Sequence, residues 1–184
     1  DHRDLHSFPT RRSSDLSASV HDLLSGVIID SGNDASVALA EHIAGSEGGF
    51  VGMMNSTAST LGLINTHFMN STGLPDPEHY SSARDMATLA LKVINEGTTY
   101  YPLYAKKTFT WNGIQQSNRN ALLWRNSIYD GLKTGHTEAA GYCLVASAQR
   151  DGQRLISAVL GASSTRKRAE ETEKDRKSTR LNSS

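Results

Sequence analysis

The spacing of apolar residues divides the chain into a helical first half and a strand-rich second half. In the first half, apolar side chains recur three or four positions apart, which is the period of a helix that buries one face. This pattern predicts four helices, over residues 20–30, 35–44, 50–61 and 83–95. A short extended piece is expected at residues 66–70, followed by a loop over residues 71–77.

Turn and capping residues support these helix boundaries. The cluster Ser31-Gly32-Asn33-Asp34 separates the first two helices, and Asn33 or Asp34 is expected to cap the second. Ser82 with Asp85 resembles a capping box that opens the fourth helix, and Gly97 closes it. In the third helix we expect a buried stripe, formed by Phe50, Met53, Met54, Thr57 and Leu61.

From residue 100 onward the apolar period falls to two, which indicates strands. Asn112-Gly113 predicts a hairpin turn between strands over residues 107–111 and 114–117. Three further strands are predicted over residues 128–136, 141–149 and 154–161, and Asp151-Gly152 joins the last two. A last helix begins at residues 166–174 and is expected to be interrupted after residue 174. Helices followed by antiparallel strands and a returning helix predict an α+β fold.

The two ends of the chain differ from the rest. Residues 1–16 and 175–184 are rich in Arg and Ser, lack apolar periodicity, and resemble translations of sequencing-library adapters. We therefore expect residues 17–174 to form part of one domain that is incomplete at both ends. Its mainly helical part is expected over residues 17–97, and its sheet with the start of the last helix over residues 98–174.

Composition excludes several classes of function. The formal net charge is zero, so there is no electrostatic case for nucleic acid as a partner. Cys143 is the single cysteine of the chain, so no internal disulfide is expected. The histidines of the chain lack the spacing of a metal site, so no metal cofactor is expected. No signal peptide or membrane span is visible in the sequence.

The tripeptide Lys133-Thr134-Gly135 lies on a predicted strand and carries the first candidate chemistry. On an edge strand, alternate backbone groups can pair with an extended peptide, and Gly135 lets that peptide approach closely. Lys133 and Thr134 offer a cation and a hydroxyl to a carboxylate. The backbone N–H of His136 is placed to donate to a developing oxyanion. As three common residues in a strand, the motif is weak by itself.

Ser31 and Asn33 form the second candidate, in the turn between two helices. Ser-x-Asn together with Lys-Thr-Gly makes two thirds of the active site of penicillin-recognising serine enzymes. The remaining third is Ser-x-x-Lys, which carries the nucleophile. Ser164–Lys167 is the one stretch that fits this spacing, and it lies after the last strand, in the wrong place. Taken alone, Ser31-Gly32-Asn33-Asp34 would read as a turn with a helix cap.

With these motifs, the chain resembles the D-alanyl-D-alanine carboxypeptidases, the low-molecular-mass penicillin-binding proteins, over residues 20–174. Further stretches that carry the resemblance are Tyr80–Ala87, Asn118-Arg119-Asn120, Asp130–Thr137 and Ala140–Ala148. The resemblance implies a β-lactamase/transpeptidase-like fold, an antiparallel sheet with flanking helices and a helical subdomain. His136-Thr137 after Lys-Thr-Gly favours the carboxypeptidases over class A β-lactamases.

The resemblance also implies roles for individual residues. Catalytic roles fall to Ser31, Asn33, Lys133 and His136, and substrate contacts to Thr134, Gly135, Thr137, Arg119 and Arg168. The two arginines are expected beside the substrate carboxylate, since a planar guanidinium suits it.

In this family a serine attacks the terminal D-Ala-D-Ala bond of peptidoglycan stem peptides, D-alanine leaves, and water hydrolyses the acyl-enzyme. β-Lactams acylate the same serine, and the full-length proteins are periplasmic and membrane-associated. Because the relatives carry Ser-x-x-Lys upstream of Ser-x-Asn, we expect this chain to lack its nucleophile. It is then expected to be catalytically inactive, to fold marginally and to expose an apolar face.

Two alternatives remain open. One is a related enzyme with the same motifs, either a D,D-endopeptidase or a β-lactamase. The other is a non-catalytic peptidoglycan-binding module, which keeps Lys-Thr-Gly and the arginine contacts without a nucleophile.

Overall fold

The computed structural model describes residues 17–97 and 99–181, with side chains described through residue 174. The described residues form an α+β arrangement in which helices precede, flank and follow antiparallel strands. The helices are α1 (Val20–Ser25), α2 (Asn33–Ala44), α3 (Glu47–Thr60), α4 (Ala83–Glu96), α5 (Leu122–Arg125) and α6 (Thr165–Leu181). The strands are β1 (Thr108–Trp111), β2 (Ile114–Ser117), β3 (Tyr129–Thr137), β4 (Gly141–Arg150) and β5 (Gln153–Ala162). A 3-10 turn, Tyr101–Ala105, precedes β1.

The first predicted helix is confirmed in extent, but its second half has a different geometry. Helix α1 begins at the cap Ser19, whose hydroxyl accepts a hydrogen bond from the N–H of Asp22 at 3.1 Å. It continues directly into a π turn, Gly26–Asp30, which ends at Ser31. Each hydrogen bond of a π turn closes a wider ring than that of an α-helix. This turn therefore widens the helix just before the Ser-x-Asn motif.

The expected cap of the second helix is wrong. Gly32 is the N-cap of α2, and Asn33 is already its first residue. The carboxylate of Asp34 accepts a hydrogen bond from the N–H of Ala35 at 2.9 Å, inside the first turn. Because the extended backbone of Gly32 starts the helix, the Asn33 side chain is not needed as a cap.

The strands form two sheets. Strands β1 and β2 make the predicted hairpin, and strands β3, β4 and β5 make an antiparallel sheet in the order β3-β4-β5. Both predicted two-residue turns have positive φ angles, 47° and 75° at Asn112 and Gly113, and 53° and 76° at Asp151 and Gly152. These angles match a hairpin turn that follows the right-handed twist of its strands.

Two clusters of buried apolar residues connect the helices and turns to the sheet. The larger packs α5 and α6 against one face of β4, and consists of Leu122, Leu123, Tyr129, Leu144, Ala146, Ala148 and Ala169. The smaller joins the π turn to the 3-10 turn through Ile28, Ile29 and Leu103. The second cluster therefore fixes the π turn beside the start of β3.

The structure corrects two further expectations and bears out a third. The stripe on α3 is not buried, since Met53 is 50% exposed and Ala58 is the buried residue of this helix. The extended piece expected at residues 66–70 forms a single β-bridge, between His67 and Tyr80. Helix α6 is not interrupted after residue 174 but runs to Leu181. Residues 175–181 contain neither Gly nor Pro, so nothing in them ends a helix.

The cap of α4 is confirmed and leads to a stability prediction. The hydroxyl of Ser82 accepts a hydrogen bond from the N–H of Asp85 at 3.1 Å. Replacing Ser82 by alanine should lower the free energy of unfolding by about 1 kcal/mol, because a donor of the first turn loses its acceptor. Urea denaturation would measure this. Ser59→Ala, an exposed position on α3, is the control, and an equal loss in both variants would contradict the capping role.

Candidate active site

The two candidate motifs meet in one cleft. Lys133 on β3 donates a hydrogen bond from its Nζ to the hydroxyl of Ser31, which lies 102 positions earlier in the chain. The same ammonium donates to the backbone carbonyl of Thr134 at 2.9 Å. The cleft has a volume of about 770 Å³, and both side chains line it. The structure therefore brings together residues that the sequence pairs only by motif.

Ser31 owes its place to an unusual backbone conformation. It closes the π turn in the left-handed region, with φ at 60° and ψ at 41°. A residue other than glycine in this region costs about 1 to 3 kcal/mol, so the surrounding structure must hold it there. Gly32 donates its N–H back to the carbonyl of Gly26 at 3.2 Å. This hydrogen bond ties the strained residue to the start of the π turn, and Asn33 follows on the cleft wall.

The electrostatic surroundings of Lys133 favour its neutral form. Burial lowers the pKa of Lys133 from 10.5 to about 8, assisted by the positive charges of Arg119 and Arg168 and opposed by Asp30. Asp30 faces Arg119, with 3.4 Å between its carboxylate and the guanidinium. Asp30 was not among the expected site residues, and nothing in its local sequence distinguishes it from a helix-end acid. Three cations therefore share one end of the cleft with a single described carboxylate close to Lys133.

The Lys-Thr-Gly strand presents an edge. Among the described residues, β3 pairs with β4 alone, so the opposite edge of β3 borders the cleft. A Cβ atom on Gly135 would meet the Cβ of Cys143 at 3.8 Å, an ordinary contact. The fold therefore does not itself require glycine here. An extended ligand that lies against the backbone would benefit from its absence of a side chain.

The two residues after the glycine have structural contacts of their own. The ring of His136 lies against Tyr142, with 4.0 Å between ring centroids. The hydroxyl of Thr137 accepts a hydrogen bond from the N–H of Ala140 at 3.0 Å, which closes the turn into β4. Both residues line the cleft.

The two arginines differ in their surroundings. Arg168, on α6, is 5% exposed and donates to the backbone carbonyls of Gly135 and Cys143 at 3.3 and 3.1 Å. Its guanidinium also lies 5.8 Å from the centre of the Tyr142 ring. The side chain of Arg119 is 41% exposed beside Asp30. Arg168 therefore supports β3 through its hydrogen bonds to the backbone, whereas Arg119 is the more accessible cation.

One wall of the cleft was missed by the sequence analysis. It is formed by residues of the 63–82 connection and of α3 and α6, among them Met54, Phe68, Asn70, Ser71, Thr72, Leu74, His79 and Thr165. The side-chain amide of Asn55 pairs with both backbone groups of Phe68, at 2.8 Å each. Glu47 accepts from the N–H and hydroxyl of Ser71 at 3.0 and 2.7 Å. The sequence marked this segment as a loop but carried no signal that the loop faces the site.

The Ser-x-x-Lys stretch near α6 has a structural role. The hydroxyl of Ser164 accepts a hydrogen bond from the N–H of Lys167 at 3.1 Å, as a helix cap does. Lys167 itself lies 3.5 Å from the carboxylate of Glu170. Neither is among the residues that line the cleft. The expectation that this stretch is not the nucleophile is consistent with its position.

Among the residues that the structure describes, no three His, Cys, Asp or Glu side chains come close enough to hold a metal ion.

His79 gives the cleft wall a predicted pH dependence. Its Nδ1 accepts a hydrogen bond from the N–H of Met69 at 3.2 Å, which requires an unprotonated Nδ1. Burial lowers the pKa of His79 below 6.5; Asp76 opposes this effect and His67 adds to it. Below pH 6.5 the unfolded chain therefore binds more protons than the folded chain, and stability falls until the pH passes the folded-state pKa.

Replacing His79 by glutamine should reduce this loss, since an amide oxygen can accept the same N–H without titrating. Urea denaturation at pH 7.5 and at pH 5 would give the difference for the two proteins. An equal pH dependence in both would contradict the assignment to His79.

Comparison with known proteins places this geometry in a family. The family model of D-alanyl-D-alanine carboxypeptidases matches residues 2–164. The chain is 50% identical over 157 residues to D-alanyl-D-alanine carboxypeptidase DacD of Salmonella typhimurium, covering 85% of this chain and 40% of that protein. It therefore spans less than half of the length of this relative.

Solved structures agree with the sequence comparison. Penicillin-binding protein 5 of Haemophilus influenzae matches with a TM-score of 0.84 at 50% identity, over 86% of this chain and 47% of that one. Penicillin-binding protein D2 of Listeria monocytogenes was solved in its ampicillin-bound form. It matches with a TM-score of 0.78 at 36% identity, over 85% of this chain and 65% of that one. The expected α+β, transpeptidase-like fold is confirmed.

Proposed function

The chain belongs to the D-alanyl-D-alanine carboxypeptidase family, and on that premise we propose that its cleft binds the D-Ala-D-Ala end of a peptidoglycan stem peptide. The observation that carries the proposal is the hydrogen bond from Lys133 to Ser31 at the edge of β3. It joins a cation, a hydroxyl and an unpaired strand edge in one cleft. These groups suit the binding of a peptide that ends in a carboxylate.

The terminal carboxylate lies at the cationic end of the cleft. Lys133 and the more exposed Arg119 attract it, and Thr134 with Thr137 supplies hydroxyls. Arg168 contributes its positive charge from its buried position in the cleft wall. The peptide backbone then runs along the edge of β3, past Gly135. The N–H of His136 donates to the carbonyl oxygen under attack.

The chemical step is acyl transfer. A serine hydroxyl attacks the carbonyl carbon of the penultimate D-alanine, and its proton passes to a base. The C–N bond breaks, the leaving amine takes a proton through Ser31, and water then hydrolyses the ester. Asn33 orients the substrate amide. We assign the attacking serine to a Ser-x-x-Lys segment outside these 184 residues, since Ser164 caps a helix away from the cleft.

Partners and location follow from the same assignment. Peptidoglycan and β-lactams are the proposed ligands, as the ampicillin-bound relative suggests, and the proposed site of action is extracytoplasmic. No helix in the described residues combines the length and apolar character needed to cross a bilayer. We propose membrane association for the full-length protein, through a region outside this chain. The chain has no net charge that would favour nucleic acid.

Two measurements on this chain test the proposal. Acetyl-D-Ala-D-Ala should shift the amide resonances of β3 and of residues 31–33, whereas its C-terminal amide, which lacks the carboxylate, should not. A fluorescent penicillin should leave no covalent label. Equal shifts with the acid and the amide would overturn the carboxylate site, and a covalent adduct would overturn the missing nucleophile.

A second candidate is a non-catalytic peptidoglycan-binding module, which would use the same cleft contacts without a nucleophile; the capping role of Ser164 fits both candidates. Reading the source DNA upstream of the Ser17 codon separates the two. A Ser-x-x-Lys motif on a predicted helix there supports the enzyme, and a start codon without that motif supports the module.

The lowered pKa of Lys133 predicts a pH profile for the proposed enzyme. Its ammonium attracts the carboxylate, so kcat/KM should fall as the pH rises through about 8, where Lys133 loses its proton. Initial rates between pH 6.5 and 9.5 with subsaturating substrate would show the fall. A kcat/KM that rises across this range would instead make neutral Lys133 the active form.

A further inference from the structure

Strand β3 contains an irregularity shortly before Lys133. The pairing of β3 with β4 shifts register between Tyr129 and Gly131, so Asp130 occupies a β-bulge. A bulge inserts one residue into a strand and redirects the side chains that follow it. Since strand side chains alternate between two faces, a slip by one residue would turn Lys133 to the other face of the sheet. The bulge therefore decides whether Lys133 points to Ser31.

The bulged residue is held by charge. One guanidinium nitrogen of Arg154, Nη1, donates to Oδ1 of the Asp130 carboxylate at 2.9 Å and lies 2.8 Å from its Oδ2. The hydroxyl of Tyr101 donates to the same carboxylate at 3.0 Å. Both charged side chains are about three-quarters buried, at 25% and 28% exposure. A charge-assisted hydrogen bond of this kind is shorter and stronger than one between neutral groups.

The same guanidinium spans the whole sheet. Arg154 lies on β5, and it also donates to Ser147 and Gln149 on β4, the latter at 2.8 Å. Its contacts therefore join β5, β4 and β3 to the 3-10 turn that carries Tyr101. Burial raises the pKa of Tyr101 to about 12, so this hydroxyl remains a donor at neutral pH.

The residue after the bulge is enclosed as well. A Cβ atom on Gly131 would lie 3.1 Å from the hydroxyl of Tyr101 and 3.4 Å from the Cβ of Tyr104. The carbonyl of Gly131 accepts a hydrogen bond from the side chain of Asn120 at 3.1 Å, and Asn120 is 1% exposed. The backbone at the bulge thus has little room to move.

We propose that Asp130, Arg154 and Tyr101 lock the bulge of β3 and thereby position Lys133 against Ser31. They are positioning residues, because their contacts are with one another and with the sheet, and none of them lines the cleft. The proposal rests on the proposed function in taking Lys133 as the working cation of the site. The lock itself is a property of the fold and can be measured without substrate.

The test is the pKa of Lys133 in Asp130→Asn, followed by NMR of ¹³C-labelled lysine in this chain. Removing a negative charge would by itself lower the pKa of a nearby lysine. Releasing Lys133 from its buried place beside Arg119 and Arg168 would instead raise it. We therefore expect the pKa of Lys133 in Asp130→Asn to be higher by about 1 or more, closer to the ordinary pKa of lysine. The sign of the change therefore distinguishes loss of position from loss of charge.

Asp151→Asn is the matched control. Asp151 is in the turn between β4 and β5, its side chain is 78% exposed, and it pairs with Arg150 at 3.3 Å. Asparagine tolerates the left-handed backbone of that turn, so this variant removes the same charge without touching β3. The pKa of Lys133 should not change in it.

Tyr101→Phe covers the case in which Asp130→Asn unfolds. It removes a single hydroxyl from the lock and should raise the pKa of Lys133 in the same direction by a smaller amount. If Asp130→Asn folds, an unchanged or lowered pKa of Lys133 in that variant would overturn the proposal. If it unfolds, the same result in Tyr101→Phe would do so. A failure of acetyl-D-Ala-D-Ala to bind the unmodified chain would count against the proposed function and leave this result intact.

Discussion

Replacing Lys133 by methionine is expected to lower kcat/KM for a D-Ala-D-Ala peptide about a thousandfold in the proposed enzyme, the loss typical of removing a preorganised electrostatic contact. Methionine keeps the length of the side chain and fills the same half-buried place. The variant loses the cation at the carboxylate end of the cleft and the donor to Ser31. A free Ser31 hydroxyl would no longer be oriented toward the leaving group.

Lys167→Met is the matched control for this change. Lys167 lies outside the cleft and pairs with Glu170 on the surface of α6, so its loss should change kcat/KM less than twofold, within about 0.5 kcal/mol. Steady-state kinetics on both variants, with circular dichroism to confirm folding, would make the comparison. A Lys133→Met enzyme that keeps one tenth of its activity would remove Lys133 from the centre of the mechanism.

Arg168→Met is expected to be the most destabilising change at the site. The buried guanidinium donates to the carbonyls of Gly135 and Cys143. Methionine would leave both acceptors without this donor, at a cost on the order of 3 kcal/mol. Because those carbonyls belong to β3 and β4, the loss should also loosen the Lys-Thr-Gly strand.

Chemical denaturation would measure the stability of Arg168→Met against Arg166→Met. Arg166 is on the same helix, its side chain is 77% exposed, and its loss should cost no more than about 0.5 kcal/mol. Binding of acetyl-D-Ala-D-Ala separates the two roles of Arg168. If the variant keeps its stability but loses binding, Arg168 contacts the ligand directly and is not a support for β3.

The parts of this fold that local chemistry determines could be predicted from the sequence. Asn112-Gly113 and Asp151-Gly152 tolerate positive φ angles, so they marked both hairpins. Alternation of apolar residues gave the bounds of β3, β4 and β5 to within one residue at each end. The two motifs of the site could be recognised only in combination, because each is weak by itself.

What depended on packing between distant segments could not be predicted. The stripe expected on α3 failed because this helix uses the small residue Ala58 at its buried position and leaves Met53 in solvent. The cleft wall around Phe68 and His79 is held by side chains from α3, which lie more than ten positions away. Asp30 gained its importance only from Arg119, 89 positions later. No local pattern contains these pairings.

The π turn before Ser31 has a consequence for insertions and deletions. A π turn bonds each N–H to the carbonyl five residues earlier, whereas an α-helix uses the carbonyl four residues earlier. Removing one residue from Gly26–Asp30 would therefore let the stretch close as an α-helix with the direction of the chain at Ser31 nearly unchanged. Inserting one residue would instead rotate Ser31 by about 100°, away from Lys133, although every other side chain was unchanged. This stretch should tolerate the loss of one residue better than the gain of one.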